Sequence, residues 1–151
     1  MLDEAHIKWR VIVISACYSG GYVEPLRNEN TMVMTASDAT HTSFGCGTES
    51  DFTYFGRALF DEELRRTTSF ERAFESARTT IARREQAAGE EPSNPQIFVG
   101  PAIRAKLAAY EKRLATPSRQ VFQRATPPAR TRGMRHACAR RSLAHSKPSP
   151  P

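Results

Sequence analysis

WRVIVISACYSGG, residues 9–21, is the stretch on which the fold class turns. Four apolar residues in a row, Val11-Ile12-Val13-Ile14, give way to Ser15, Ala16, Cys17 and Ser19, and then to Gly20-Gly21. A short β-branched run without period-two alternation marks a strand buried on both faces, the kind found in parallel sheets. The switch to small residues brings that strand to the surface in a turn. In open parallel sheets ligands bind beyond the C-terminal ends of the strands, so a thiol at this tip stands where a nucleophile would be useful.

Further along, Thr31–Ala36 (TMVMTA) predicts a second strand, preceded by the polar turn Arg27-Asn28-Glu29-Asn30. Residues 37–50 form a loop long enough to be functional. Asp51 is placed to cap a helix in which Phe52, Phe55, Leu59, Phe60 and Leu64 follow a helical period. Thr68 and Glu71 fit a capping box, each side chain satisfying the other's free amide. The helix they open carries Phe70, Phe74, Ala77 and Ile81 on one face and runs to about Ala88, where Gly89 stops it. A Pro92–Pro95 loop, a third strand at Gln96–Val99 and a last helix from Pro101 to about Leu114 complete the pattern.

Strands alternating with helices predict an α/β domain built on a parallel sheet. Three strands are few for such a sheet, which needs cover on both faces and neighbours on both sides. Residues 1–114 therefore read as part of a domain.

Residues 115–151 read as something else. They hold eight of the 22 Lys/Arg and none of the 16 Asp/Glu, leaving 14 basic against 16 acidic residues in 1–114. The basic excess of the chain belongs to this tail, which is rich in Arg, Pro, Ser and Ala and is expected to be disordered. Only Phe122 interleaves an aromatic ring with its charges, so a passive tail is expected rather than a nucleic-acid binder. No run reaches the roughly 18 apolar residues of a membrane span, and the start Met-Leu-Asp-Glu-Ala-His has no signal-peptide character. Cys17, Cys46 and Cys138 are odd in number and lack a CxxC pair, which argues against a disulfide framework or a zinc site. A reduced, cytoplasmic setting is the default expectation.

Several thiol and phosphate motifs are excluded outright. A C-x5-R phosphate loop needs Arg where Val23 stands, and a G-x-S-x-G elbow on Ser19 needs Gly where Cys17 stands. No G-x-G-x-x-G is present. The small residues around Cys17, Gly20 among them, let a substrate backbone approach and leave amides to hold an oxyanion. A thiol with its free pKa of about 8.5 also wants a base. His136 and His145 fall in the tail, and His6 lies before the first strand, at its wrong end. His41, in the loop after the second strand, is the internal candidate on the correct edge of the sheet.

VISACYSGG (13–21) resembles the cysteine motif of the legumain-type peptidases, the C13 family of clan CD. MVMTASDATHTSFGCGTESDFTYFGRALF (32–60) resembles the same family's next strand and loop, with its Thr-Ala pair, its Ser-aromatic-small-Cys run and its Thr-Tyr-aromatic-Gly run in order. The phrasing is that of bacterial members, and the likeness covers roughly residues 7–112.

The resemblance implies a caspase-like fold, a six-stranded, mostly parallel sheet flanked by helices, of which this chain supplies the C-terminal half. It implies peptide-bond hydrolysis through a thioester on Cys17, whose backbone amide is one oxyanion donor, with no metal or cofactor. Ser43 corresponds to a serine that lines the substrate pocket. The family's His-Gly motif, upstream of the cysteine, has no counterpart, since Ile7 follows His6. The acidic residue that completes the asparagine pocket in legumains falls at Arg57, which argues against simple Asn preference. The expectation is a truncated, impaired cysteine peptidase acting on peptides or proteins. The alternative is an inactive fragment that acts as an interaction module, pairing with an N-terminal half-domain or with itself through its exposed edge strand.

Overall fold

The first strand forms where the apolar run places it, at Arg10–Ile14 (β1). A computed structural model describes residues 4–45 and 52–115. β1 is followed by a 3-10 turn at Ser19–Tyr22 and a one-turn helix, Val23–Leu26 (α1). The second strand, Thr31–Thr35 (β2), pairs with β1 in parallel, Arg10 opposite Thr31 and Ile14 opposite Thr35. The third, Gln96–Val99 (β3), lies on the other side of β2, so the sheet runs in the order β1-β2-β3.

β3 is the antiparallel member of the mostly parallel sheet: it runs against β2, with Thr35 opposite Gln96 and Met32 opposite Val99. The connection explains why. A single crossover helix returns the chain to the starting edge and yields a parallel neighbour. Here two helical segments intervene and pack on each other, the first over residues 54–63 and the second at Phe70–Ala88 (α3). The second segment carries the chain back to the edge where β2 ended. The sheet is therefore mainly parallel, with helices around it.

Alternation along β2 divides the core into two faces. Met32 and Met34 point to one, where Val13, Ile97 and Val99 meet Phe55, Phe74, Ile81 and Ile103. Phe55 and Phe74 pack edge to face, with centroids 6.3 Å apart at 69°. On the opposite face Val33 is fully buried, and its register partner Phe98 lies under the Arg27 guanidinium at 4.8 Å.

The helix after the loop differs from its sequence reading. It starts at Tyr54–Gly56 (α2), with Thr53 as its cap, the Thr53 hydroxyl accepting the Gly56 N–H at 2.9 Å. Asp51 lies outside the described residues. Over Arg57–Glu63 the helix widens to the π form, closed by the Leu64 N–H on the Leu59 carbonyl at 2.9 Å, an i→i+5 bond. The wider turn breaks the 3.6-residue period. Phe55 and Leu59 are buried, whereas Phe52 and Phe60 are exposed.

The capping box at α3 does not form. Ser69 takes the N-cap position without a side-chain cap, and Glu71 instead accepts from Arg104 Nε at 3.1 Å. At the other end Gly89 adopts φ 72°, and Glu90 N–H reaches back to the Glu85 carbonyl at 2.9 Å, the glycine stop the sequence announces.

A last helix, Pro101–Ala115 (α4), begins against the turn before β2. The Glu29 carbonyl accepts the N–H groups of Ala102 and Ile103 at 2.9 and 3.0 Å. Gly100 passes so close to the Asn28 and Glu29 carbonyls that a Cβ there would clash. Among the described residues no helix is long and apolar enough to cross a membrane. The tail expected beyond α4 lies outside the described residues, as do Cys46 and Cys138.

Candidate active site

Three loops meet at one edge of the sheet: those that follow β1 and β2, and the one that leads into β3. The β1 loop carries Cys17, and buried serines stitch it to the β2 loop. Ser19 N–H donates to Ser37 Oγ at 3.1 Å, Ser37 N–H returns to Ser19 Oγ at 3.3 Å, and Ser37 Oγ donates to the Ala16 carbonyl at 3.3 Å. Both serines are fully buried, so their hydroxyls satisfy amides and a carbonyl that would otherwise be lost to water.

Gly20 completes the seam. Its N–H donates to the Asp38 carbonyl at 3.3 Å, and a Cβ there would lie 2.5 Å from the Asp38 carbonyl carbon and 2.7 Å from Ala39 N. Tyr18 sits in the left-handed region at φ 58°, and its N–H donates to the His41 carbonyl at 2.9 Å.

These contacts leave the Cys17 thiol at the surface, facing Ser43. Sγ accepts the Ser43 N–H at 3.4 Å, lies 3.6 Å from the Ser43 carbonyl and 3.8 Å from its hydroxyl. A neutral thiol gives its proton to the carbonyl, while a thiolate gains from the amide. The Ser43 amide, helped by its hydroxyl and by the Cys17 amide, outweighs partial burial and holds the thiol below its ordinary pKa.

The β2 loop builds a second polar centre on Asp38. Its carboxylate accepts from the Thr40 amide at 2.8 Å, the His41 amide at 2.9 Å, the Thr40 hydroxyl at 3.0 Å and Asn94 Nδ2 at 3.2 Å. The Thr40 amide above all holds the carboxyl well below the usual range, so it is ionised at neutral pH. His41 Nδ1 lies 2.8 and 2.7 Å from its two oxygens. Facing an ionised carboxylate, Nδ1 must be the donor, which leaves the lone pair of a neutral ring on Nε2.

The sequence-nominated residues thus come together in pairs. Cys17 meets Ser43, and His41 meets Asp38, with the Tyr18–His41 backbone bond joining the pairs. The thiol's hydrogen-bond partner among the described residues is Ser43, not His41. Gly20 faces its own chain, whereas nothing lies within 4 Å of the Cβ position of Gly21. His6 lines a cavity of about 450 Å³ with Asn28, Glu29 and Asn30 at the opposite edge of the sheet, as its place before β1 requires. Arg57 is paired with Glu62 at 3.5 Å. His136 and His145 lie outside the described residues.

Asp38, Ser37 and Asn94 escaped the sequence reading. The run Asp38-Ala39-Thr40-His41 was a usable signal, because an Asx turn brings a carboxylate back onto the residues two and three ahead. Asn94 gave none: it is distant in the chain, at φ 51° in the loop before β3. Among the described residues no cluster of His, Cys, Asp and Glu could hold a metal ion.

The model of the Peptidase C13 family matches residues 1–105. No curated protein matches the chain.

Proposed function

The chain belongs to the Peptidase C13 family, and we propose that Cys17 is the nucleophile of a legumain-like cysteine endopeptidase. The observation that carries this reading is the exposed thiol at the tip of a parallel strand, with the Ser43 amide on its sulfur. Sγ attacks the scissile carbonyl carbon, and the carbonyl electron pair moves onto oxygen, opposite the Cys17 amide. Collapse expels the amine, which takes up a proton, and leaves a thioester on Cys17. Water then cleaves the thioester, releasing the acid and the thiol. Ser43 lines the substrate side, Gly20 serves by letting the two loops close on each other, and a protein or peptide is the substrate class. Arg57 argues against a plain asparagine preference.

His41 is the proposed proton carrier, acting through Nε2 while Asp38 holds Nδ1. The 151 residues contain no His-Gly dipeptide, so turnover is expected to be poor. Loss of the base alone in a serine hydrolase costs about 10⁶-fold. The proposal extends to the division of the chain into a peptidase part at 1–114 and a separate basic tail. Cleavage of a peptide library that survives Cys17→Ala unchanged sinks it, and cleavage lost with Cys17→Ala supports it.

One observation favours a second reading, an inactive interaction module. β1 is an edge strand of the described sheet, and Ile7, Trp9 and Val11 beside that edge are 45%, 40% and 36% exposed. An apolar edge of this kind invites pairing with another strand. Val11→Lys is then expected to abolish self-association in size-exclusion chromatography. A wild-type chain that elutes as a monomer at all concentrations removes this reading.

A further inference from the structure

Glu85, near the C-terminal end of α3, is 2% exposed, yet no ion pair among the described residues holds it. Its Oε2 accepts the Ser93 N–H at 3.2 Å, while Oε1 and the Ser93 hydroxyl are both buried without a partner among the described residues. A buried polar side chain whose hydrogen-bonding capacity is only partly used is unfavourable relative to an apolar side chain of the same size. A group kept at that cost calls for a role beyond filling space.

The hydrogen bonds leading away from Glu85 point in one direction. The Ser93 carbonyl accepts the Asp38 N–H at 2.9 Å, and the next residue, Asn94, donates Nδ2 to the Asp38 carboxylate at 3.2 Å. Asp38 holds His41 through both its backbone and its ring. The His41 carbonyl holds Tyr18, and two residues further on Ser43 holds the thiol. The route runs from α3 across the loop before β3, across the loop after β2, and ends at Cys17.

We infer that Glu85 is a positioning residue for the Cys17 site: by fixing Ser93 and Asn94 it fixes Asp38, and with it the loop that presents Ser43 to the thiol. This rests on the reading of Cys17 as a nucleophile, but its readout does not need peptide cleavage. Glu85 makes no hydrogen bond to the thiol, whose partner among the described residues is Ser43. Its effect is geometric, transmitted through the loop after β2 from the side opposite the Ser19–Ser37 seam.

The test is the pH dependence of Cys17 alkylation by iodoacetamide in the full chain, with Cys46→Ser and Cys138→Ser removing the other thiols. His41 and Asp38 are the titratable groups of the neighbouring loop, so each profile is repeated with His41→Gln to separate their titration from that of the thiol. Glu85→Met keeps the volume and removes the acceptor, and is expected to move the inflection up toward the free-thiol value of about 8.5. Glu85→Gln keeps an acceptor for the Ser93 N–H and offers a donor to the Ser93 hydroxyl, so it is expected to restore the wild-type inflection. Asn94→Gly, which suits the positive φ and removes only the bond to Asp38, is expected to give a smaller upward move. A folded Glu85→Met chain with an unmoved inflection overturns the inference, whatever its melting temperature does. Should Glu85→Met not fold, Asn94→Gly decides: no shift overturns the inference, an upward shift upholds it.

Discussion

β1 and β2 are apolar strands of equal length that lie side by side in register, and the sheet treats them differently. All five residues of β2 are buried, Met32, Val33 and Met34 completely. β1 has the more β-branched sequence, yet it is only partly covered, and Val11 is exposed on the same face as Met32. The difference is one of neighbours: in the described sheet β2 has a strand on each side, and β1 has one. The consequence for the site is uneven support. The loop after the well-buried strand carries Asp38 and His41, whereas the thiol hangs from the less supported strand and depends on its neighbour's loop for rigidity.

That contrast can be tested at several strengths. The largest effect is expected in the core. Met34→Ala should cost about 2–5 kcal/mol in chemical denaturation, because the β2 site cannot collapse around the cavity. Val11→Ala on the same face of β1 should cost under about 1 kcal/mol, since its side chain is already part solvated. Equal losses would show that the edge strand is covered in solution.

The seam between the loops comes next. Gly20→Ala drives a methyl into the Asp38–Ala39 backbone and is expected to cost about 1–3 kcal/mol, the range of overpacking. It should also push the Cys17 alkylation inflection upward. Gly21→Ala meets nothing and should do neither. If both variants behave alike, the seam does not govern the thiol.

The smallest effect concerns acid. Asp38 has a folded pKa below its unfolded value of about 3.9. Its contribution is therefore fully present above about pH 4 and is lost as pH falls through the lower folded value. Asp38→Asn should be less stable than the wild type at neutral pH and lose less between about pH 4 and pH 2 in denaturant midpoints. Parallel curves for the two chains would mean that the carboxylate does not hold the loop.

Much of this arrangement was legible in the residues themselves. The three strands, the Gly89 stop and the Pro101 start follow from local rules that neighbours seldom override. The site was half legible. Cys17 announced itself by standing where an apolar run meets small residues, and His41 by lying on the same edge. That each binds a different partner was not readable, because the pairing depends on which backbone atoms the loops bring together across the sheet edge. The direction of β3 was hidden for a similar reason: both intervening helices were legible, but the edge to which they return the chain depends on how they pack on each other. The π turn was hidden too, since its period differs from the one used to search for helices.

The turn before β2 has a further implication. Asn28 Oδ1 takes the Asn30 amide and the Thr31 hydroxyl, the Asn30 carbonyl takes the Arg10 amide, and the Glu29 carbonyl caps α4. Three elements are thus seated on three consecutive residues, with Gly100 pressed against the same backbone. Such a turn has no slack for a change in length. A one-residue insertion or deletion there would unseat the entry of β1 and the first turn of α4 together, so a single change of length would be felt at both ends of the described chain.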